Sequence, residues 1–155
     1  MTLSRDCLAC DNNARFASLP PRECIAADRH WRVAHAFGTA LPGWLVLVPR
    51  RHVTAIAELT DAEALRLGEW QVRLSRALHA VTGCAKTYVA QFAEAEGFAH
   101  VHFHVVPRMP DLPGEWRGPK VFGLLGRAEA VGPRRMDALS MDLRDHLLSA
   151  RPEPE

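Results

Sequence analysis

The chain has 155 residues, 48% of them hydrophobic and 24% charged, with 19 basic against 18 acidic side chains and a formal charge of +1. This is the composition of one globular domain long enough to bury a core. The balanced charge offers no basic field for a nucleic acid polymer, and the longest apolar run, Leu45–Val48, is far too short to cross a bilayer.

Taken in order, the first residues, Met1-Thr2-Leu3-Ser4-Arg5-Asp6, have no basic stretch followed by an apolar one. No signal peptide is read, and a cytoplasmic location is expected. Residues 6–13 read as a tight loop carrying Cys7-x-x-Cys10. Two thiols at this spacing suit a metal or a redox pair, and two ordinary thiols remain an alternative. Cys24 and Cys84 sit beside apolar residues and read as small buried side chains.

Glu23–Ala27 and Trp31–Phe37 read as short strands. After a Gly-Thr-Ala-Leu-Pro-Gly turn at 38–43, Trp44–Pro49 reads as a central strand buried on both faces, followed at once by Arg50-Arg51-His52. Thr60-Asp61-Ala62-Glu63 is a capping box. From it Leu67, Trp70, Leu74, Leu78 and Val81 recur at helical spacing until Gly83 supplies the stop. Thr87–Phe92 reads as the next strand, with Tyr88 and Ala90 on one face and Val89 and Gln91 on the other. A short loop, 93–98, implies an antiparallel hairpin into the following strand.

That strand, Ala99–Pro107, carries His100, His102 and His104 at every second position, with Val101, Phe103 and Val105 between them. On a strand, alternate side chains share a face and lie roughly 6.5–7 Å apart. One face therefore reads as sheet core and the other as a row of three imidazoles, whose nitrogens would go unsatisfied if buried without a role. Residues 109–132 read as irregular. A helix follows over 133–150, with Pro133 at its first position and Met136, Leu139, Leu143 and Leu147 as its apolar stripe. The low-complexity tail is confined to 151–155. The order of elements predicts an α+β fold: a mostly antiparallel five-stranded sheet, a long helix packed on it and a C-terminal helix.

His-φ-His-φ-His-φ-φ, where φ is apolar, resembles the signature of the histidine triad (HIT) superfamily of nucleotide hydrolases and transferases. Pro42-Gly43-x-Leu45-Val46-x-Val48-Pro49-x-x-His52, the capped helix and the triad stand in that family's order from residue 7 to about 108. The resemblance implies a HIT-like fold over a single domain, 1–155, with its core at 7–108. It also implies a structural zinc held by Cys7, Cys10, His52 and His100, residue types that suit tetrahedral zinc. It assigns nucleophilic attack on the α-phosphorus of a nucleotide ester, anhydride or phosphoramidate to His102, with a covalent nucleotidyl intermediate. His104 would assist at the phosphate. Gln91, Gly97 and Trp44 are the candidate substrate-binding positions, the substrate is expected to be a nucleotide-like small molecule, and a homodimer is expected.

Three positions depart from the family. Trp44 stands where it usually has histidine. The phosphate loop before His100 is about two residues short and carries Glu94, Glu96 and Gly97 in place of Gly-Gln-Ser/Thr. Ala36 occupies the place of the residue that commonly holds the ribose hydroxyls. These departures leave the nucleotide's identity open. Two other readings stand beside the leading one: a nucleotide- or partner-binding protein with little turnover, and a zinc-dependent hydrolase that uses the triad as metal ligands.

Overall fold

A computed structural model describes residues 6–150; residues 1–5, in the stretch where no signal peptide is read, and the tail at 151–155 lie outside the described residues. Five strands form one sheet, β1 (Ala26–Ala27), β2 (Trp31–His35), β3 (Leu45–Pro49), β4 (Lys86–Gln91) and β5 (Phe103–Arg108), in the order β1-β2-β3-β5-β4. Every neighbouring pair is antiparallel. Among the described residues three α-helices accompany the sheet: α1 (Leu8–Ala14), α2 (Asp61–Thr82) and α3 (Pro133–Ser149). The architecture is the α+β one expected from the order of elements.

The sheet separates two apolar clusters because its strands alternate strictly. Trp31, Val33, Leu45, Leu47, Phe103 and Val105 face α2 and α3, where Trp70, Leu74, Ala77, Leu78, Leu143 and Leu147 meet them. The opposite face carries Ala36, Val46, Tyr88 and Val106, with Trp44 in the turn before β3, and is partly covered by Leu112, Trp116, Val121 and Phe122. The covering segment is not irregular throughout, since it contains two 3₁₀ turns, Gly114–Trp116 and Gly118–Leu124.

Helix α2 starts and stops where the sequence predicts. Thr60 accepts from the Glu63 backbone N–H at 3.2 Å, Glu63 Oε2 accepts from the Thr60 N–H at 2.8 Å, and Gly83 ends the helix at φ 73°. Glu63 is further held by two bonds from Arg51, of 2.9 and 3.0 Å. On α3, Met136, Leu143 and Leu147 are buried as the stripe predicts, and Ser140 is buried with them.

Several boundaries differ from the sequence reading. The strand read at Glu23–Ala27 shrinks to two residues, because Pro21 opens a 3₁₀ turn over Pro21–Glu23. Residues 8–14 form α1 instead of a loop; Cys7 is its N-cap residue, and Asn13 docks it by donating to the carbonyls of Pro49 and Arg50 at 3.0 and 3.3 Å. The histidine strand is also shorter. Only His104 lies inside β5, whereas His100 and His102 belong to the segment leading into it. There the backbone bonds elsewhere, with the Val101 N–H donating to Val53 at 2.9 Å. The β4–β5 connection is correspondingly longer than a tight hairpin, and it carries a positive φ at Ala93 (53°) and Gly97 (81°).

Candidate functional site

The site is assembled where the N-terminal helix, the end of β3 and the start of β5 converge. Strand alternation sends Val101, Phe103 and Val105 into the core and leaves His102 and His104 on the opposite face. Across the sheet, Ala34 pairs Val46, Val46 pairs His104, and His104 pairs Ala90. The imidazole of His104 thus stands in a row of small apolar neighbours. Above this row lies a cavity of about 370 Å³, within the range of small-molecule sites. Phe37, Phe92, Phe98 and Phe122 line it, together with Glu23, Arg32 and Glu94.

The hydrogen bonds fix which nitrogen of each histidine carries a proton. A carbonyl oxygen only accepts and an indole N–H only donates. His102 Nδ1 lies 2.8 Å from the His100 carbonyl, so Nδ1 holds a proton and, in the neutral ring, Nε2 carries the lone pair. His104 Nδ1 accepts from Trp44 Nε1–H at 3.0 Å, so its proton is on Nε2. Burial disfavours the imidazolium and holds His104 down at about 4. The two rings are edge to face, with centroids 5.0 Å apart. Two adjacent imidazoles therefore present opposite tautomers to one cavity, a lone pair from one and an N–H from the other.

His100 is oriented differently. Its Nε2–H donates to the Pro49 carbonyl at 2.8 Å, which turns Nδ1 toward Cys7 Sγ (3.5 Å), Cys10 Sγ (3.6 Å) and His52 Nδ1 (3.2 Å). Cys10 Sγ is 3.2 Å from His52 Nδ1, and all four donor atoms fall within 4.8 Å of one another. For tetrahedral zinc, with bonds of about 2.0 Å to nitrogen and 2.3 Å to sulfur, neighbouring donors lie about 3.3–3.8 Å apart. The donor set fits. Its chemistry fits as well, because burial and the neighbouring Cys7 push the Cys10 thiol up to about 12, a cost that a bound cation would reverse. The imidazole-to-carbonyl bond is the usual outer support of a metal-bound histidine.

The spacing of the two cysteines now has a physical explanation. Cys7 caps α1 and Cys10 lies one turn in, and residues three apart share a helix side. A loop reading of the same motif missed the helix that aims it.

Of the positions expected to contact substrate, Gly97 lines the cavity. Gln91 does not. Its cross-strand partner is Phe103, so it lies on the helix-covered face, opposite His104, and the sequence reading of it as a phosphate donor is corrected. Trp44 is also corrected as a contact residue. It is fully buried behind the lining and touches two cavity-lining rings, His104 and Phe122, without reaching the cavity itself. Ala36 lines the cavity, as its strand position predicts, while the adjacent His35 donates from Nδ1 to the Ala36 carbonyl at 2.7 Å and accepts at Nε2 from Gly43 at 2.9 Å.

Sequence reasoning missed two groups. Arg32, 3% exposed, is bound through Nε to Asn13 Oδ1 at 2.8 Å and through its terminal nitrogen to the Glu23 carbonyl, so this cavity-lining cation is already engaged. The phenylalanines pair across segments distant in sequence, Phe37 with Phe98 at 5.8 Å and Phe92 with Phe122 at 5.1 Å. Their apolar character was visible, but nothing in the sequence indicated that they would meet.

No protein-family model and no curated protein matches the chain. Solved structures do. A zinc-bound histidine triad family protein from Mycobacterium smegmatis superposes with a TM-score of 0.68 at 18% identity, covering 92% of this chain and 93% of that one. A histidine triad protein from Bradyrhizobium japonicum gives 0.67 at 26% identity, covering 80% and 89%. A hypothetical histidine triad nucleotide-binding protein from Sulfolobus tokodaii gives 0.68 at 13% identity, covering 92% of each chain. The chain has the fold of these proteins and carries the triad.

Proposed function

We propose that this protein is a nucleotidyl hydrolase or transferase of the histidine triad kind, acting through a covalent intermediate on His102. The observation that carries the reading is the His102 Nδ1–H bond to the His100 carbonyl, which leaves Nε2 unprotonated in a cavity of ligand size. A neutral imidazole is a competent nucleophile near pH 7. Its Nε2 lone pair attacks the α-phosphorus of a nucleotide ester, anhydride or phosphoramidate. The bond to the leaving group breaks with its electron pair, and the Nδ1 proton stays at the His100 carbonyl. The Nε2–H of His104 donates to a non-bridging oxygen as charge builds there. Water or another acceptor then takes the nucleotidyl group from the imidazole.

Gly97, whose lack of a side chain suits close approach, would border the phosphate. Cys7, Cys10, His52 and His100 would hold a structural zinc, which ties α1 to the sheet and supplies no step of the reaction. His102 and His104 stand outside that donor set, which argues against a hydrolase that uses the triad as ligands. A homodimer is proposed on family resemblance alone, a single-domain organisation on chain length as well, and a cytoplasmic setting as an expectation from the sequence.

A second reading, ligand binding with little turnover, draws on the carboxylates Glu23 and Glu94 in the cavity lining, which oppose an anionic substrate. One experiment separates the two. Intact-mass measurement after mixing with adenylyl esters, anhydrides and phosphoramidates should give a nucleotidyl adduct, mapped to His102 and absent in His102→Asn. Saturable binding with no adduct and no turnover across the panel would favour the binding protein.

A further inference from the structure

His104 meets Trp44 where the family usually has a histidine, and the two side chains differ in what they allow. A second imidazole can accept as well as donate, so a proton can be relayed. An indole carries one N–H and no acceptor nitrogen. Trp44 Nε1–H donates to His104 Nδ1 at 3.0 Å from a fully buried ring, and Phe122 packs edge-on against both, at 5.3 Å from Trp44 and 5.0 Å from His104. For His104 to become an imidazolium, Nδ1 would have to gain a hydrogen directed at the indole hydrogen. Two donors would then face each other in a buried cluster, with the indole N–H left unsatisfied.

We infer that Trp44 locks His104 as a neutral Nε2–H donor, so that the site selects substrates whose leaving group departs as a stable anion, such as a carboxylate, a phosphate or an aryl oxide, over those that must release an amine. This rests on the proposed attack by His102. In that step His102 Nε2 forms the bond to phosphorus, and the oxygen of the leaving group takes the electron pair and departs unprotonated. His104 keeps its proton throughout while hydrogen-bonding a phosphoryl oxygen. An amine, by contrast, has to be protonated as it leaves. His104 could supply that proton only by becoming an imidazolate, and the Nδ1–H of His102 is held away at the His100 carbonyl.

The surroundings of His104 supply no substitute acid. It faces Trp44 from the turn before β3, Val46 from β3, Ala90 from β4, Phe122 from the 3₁₀ turn and His102 from its own segment. The charged groups lining the cavity are Glu23, Arg32 and Glu94, and among the described residues none of them hydrogen-bonds His104. Burial acts in the same direction by holding the imidazolium form down.

Two measurements on the full chain test this. In ¹⁵N-histidine-labelled protein, His104 should show a protonated Nε2 and a bare Nδ1 near pH 7. Trp44→Phe should turn this single tautomer into a mixture. A proton on Nδ1 of the wild-type protein would overturn the lock, and that result needs no variant to fold. Single-turnover adduct formation is then compared between an adenylyl nitrophenyl ester and an adenylyl alkylphosphoramidate. The phosphoramidate should trail by at least about 10²-fold, the factor a general acid ordinarily supplies, and Trp44→Phe should narrow the gap. Equal rates would overturn the selectivity even with the adduct present. Absence of adduct from every substrate would remove the His102 reading and the selectivity with it, while the tautomer measurement would still decide the Trp44 contact.

Discussion

His102 and His104 lie two residues apart, yet a carbonyl sets the proton of one and an indole N–H sets the proton of the other. At this scale the small number of rigid partners decides the chemistry, because each ring has a single orientation that satisfies them. Glu63 shows the same logic applied to stability. Its carboxylate accepts from Arg51 and from the Thr60 backbone, and Arg51 leads the causes that draw its pKa down to about 2 from an ordinary 4.5. A depressed folded-state value means that this contribution is present in full above pH 4.5 and is lost as the pH falls toward 2. Glu63→Gln should flatten that part of the stability-versus-pH curve, measured by urea unfolding at stepped pH. An unchanged slope would remove the assignment.

Among elements, the legible ones were those whose signals are local. The capping box at Thr60, the stop at Gly83 and the stripe of α2 needed no partner to be read, and the burial of Trp70, Leu74 and Leu78 followed. The alternation of Val101, Phe103 and Val105 with the histidines was likewise legible, and so were the four metal-set positions once they were matched to a known pattern. What escaped the sequence depends on contacts made at a distance. Helix α1 is short, and its position is fixed by Asn13 reaching the carbonyls of Pro49 and Arg50, which no pattern within residues 6–14 announces. The face of Gln91 is set by its register with Phe103, and the aromatic lining draws Phe122 from a segment without helical or strand periodicity. Helix α3 holds a further test. Ser140 is fully buried, and among the described residues its hydroxyl is the one buried side-chain polar atom without a hydrogen-bond partner. Ser140→Ala should therefore stabilise the protein, by about 1 kcal/mol in chemical denaturation. Destabilisation would mean that the hydroxyl has a partner after all.

At the level of the molecule, the four-donor group joins thiols to imidazoles 42 to 93 positions away. A metal there binds the folded chain far better than the unfolded one, so stability should rise with free zinc. At one hundred times the dissociation constant the gain is about 2.7 kcal/mol, which for a chain of this length is roughly 5–10 °C in Tm. Thermal melts across a zinc titration should show that rise, and Cys10→Ser should abolish it together with stoichiometric metal content. A Tm indifferent to zinc in the wild-type protein would rule out a structural role for the group.

His100 has two attachments at once. Its ring nitrogen points to the thiols, while its carbonyl holds the proton of His102. An oxidant that took electrons from Cys7 or Cys10 would remove those thiols as donors and leave the His100 ring held by its Nε2–H bond to Pro49 alone, next to the backbone oxygen that keeps the proton of the proposed nucleophile, His102, on Nδ1. The redox state of Cys7 and Cys10 would in this way bear, through one histidine, on an imidazole some ninety residues later in the chain.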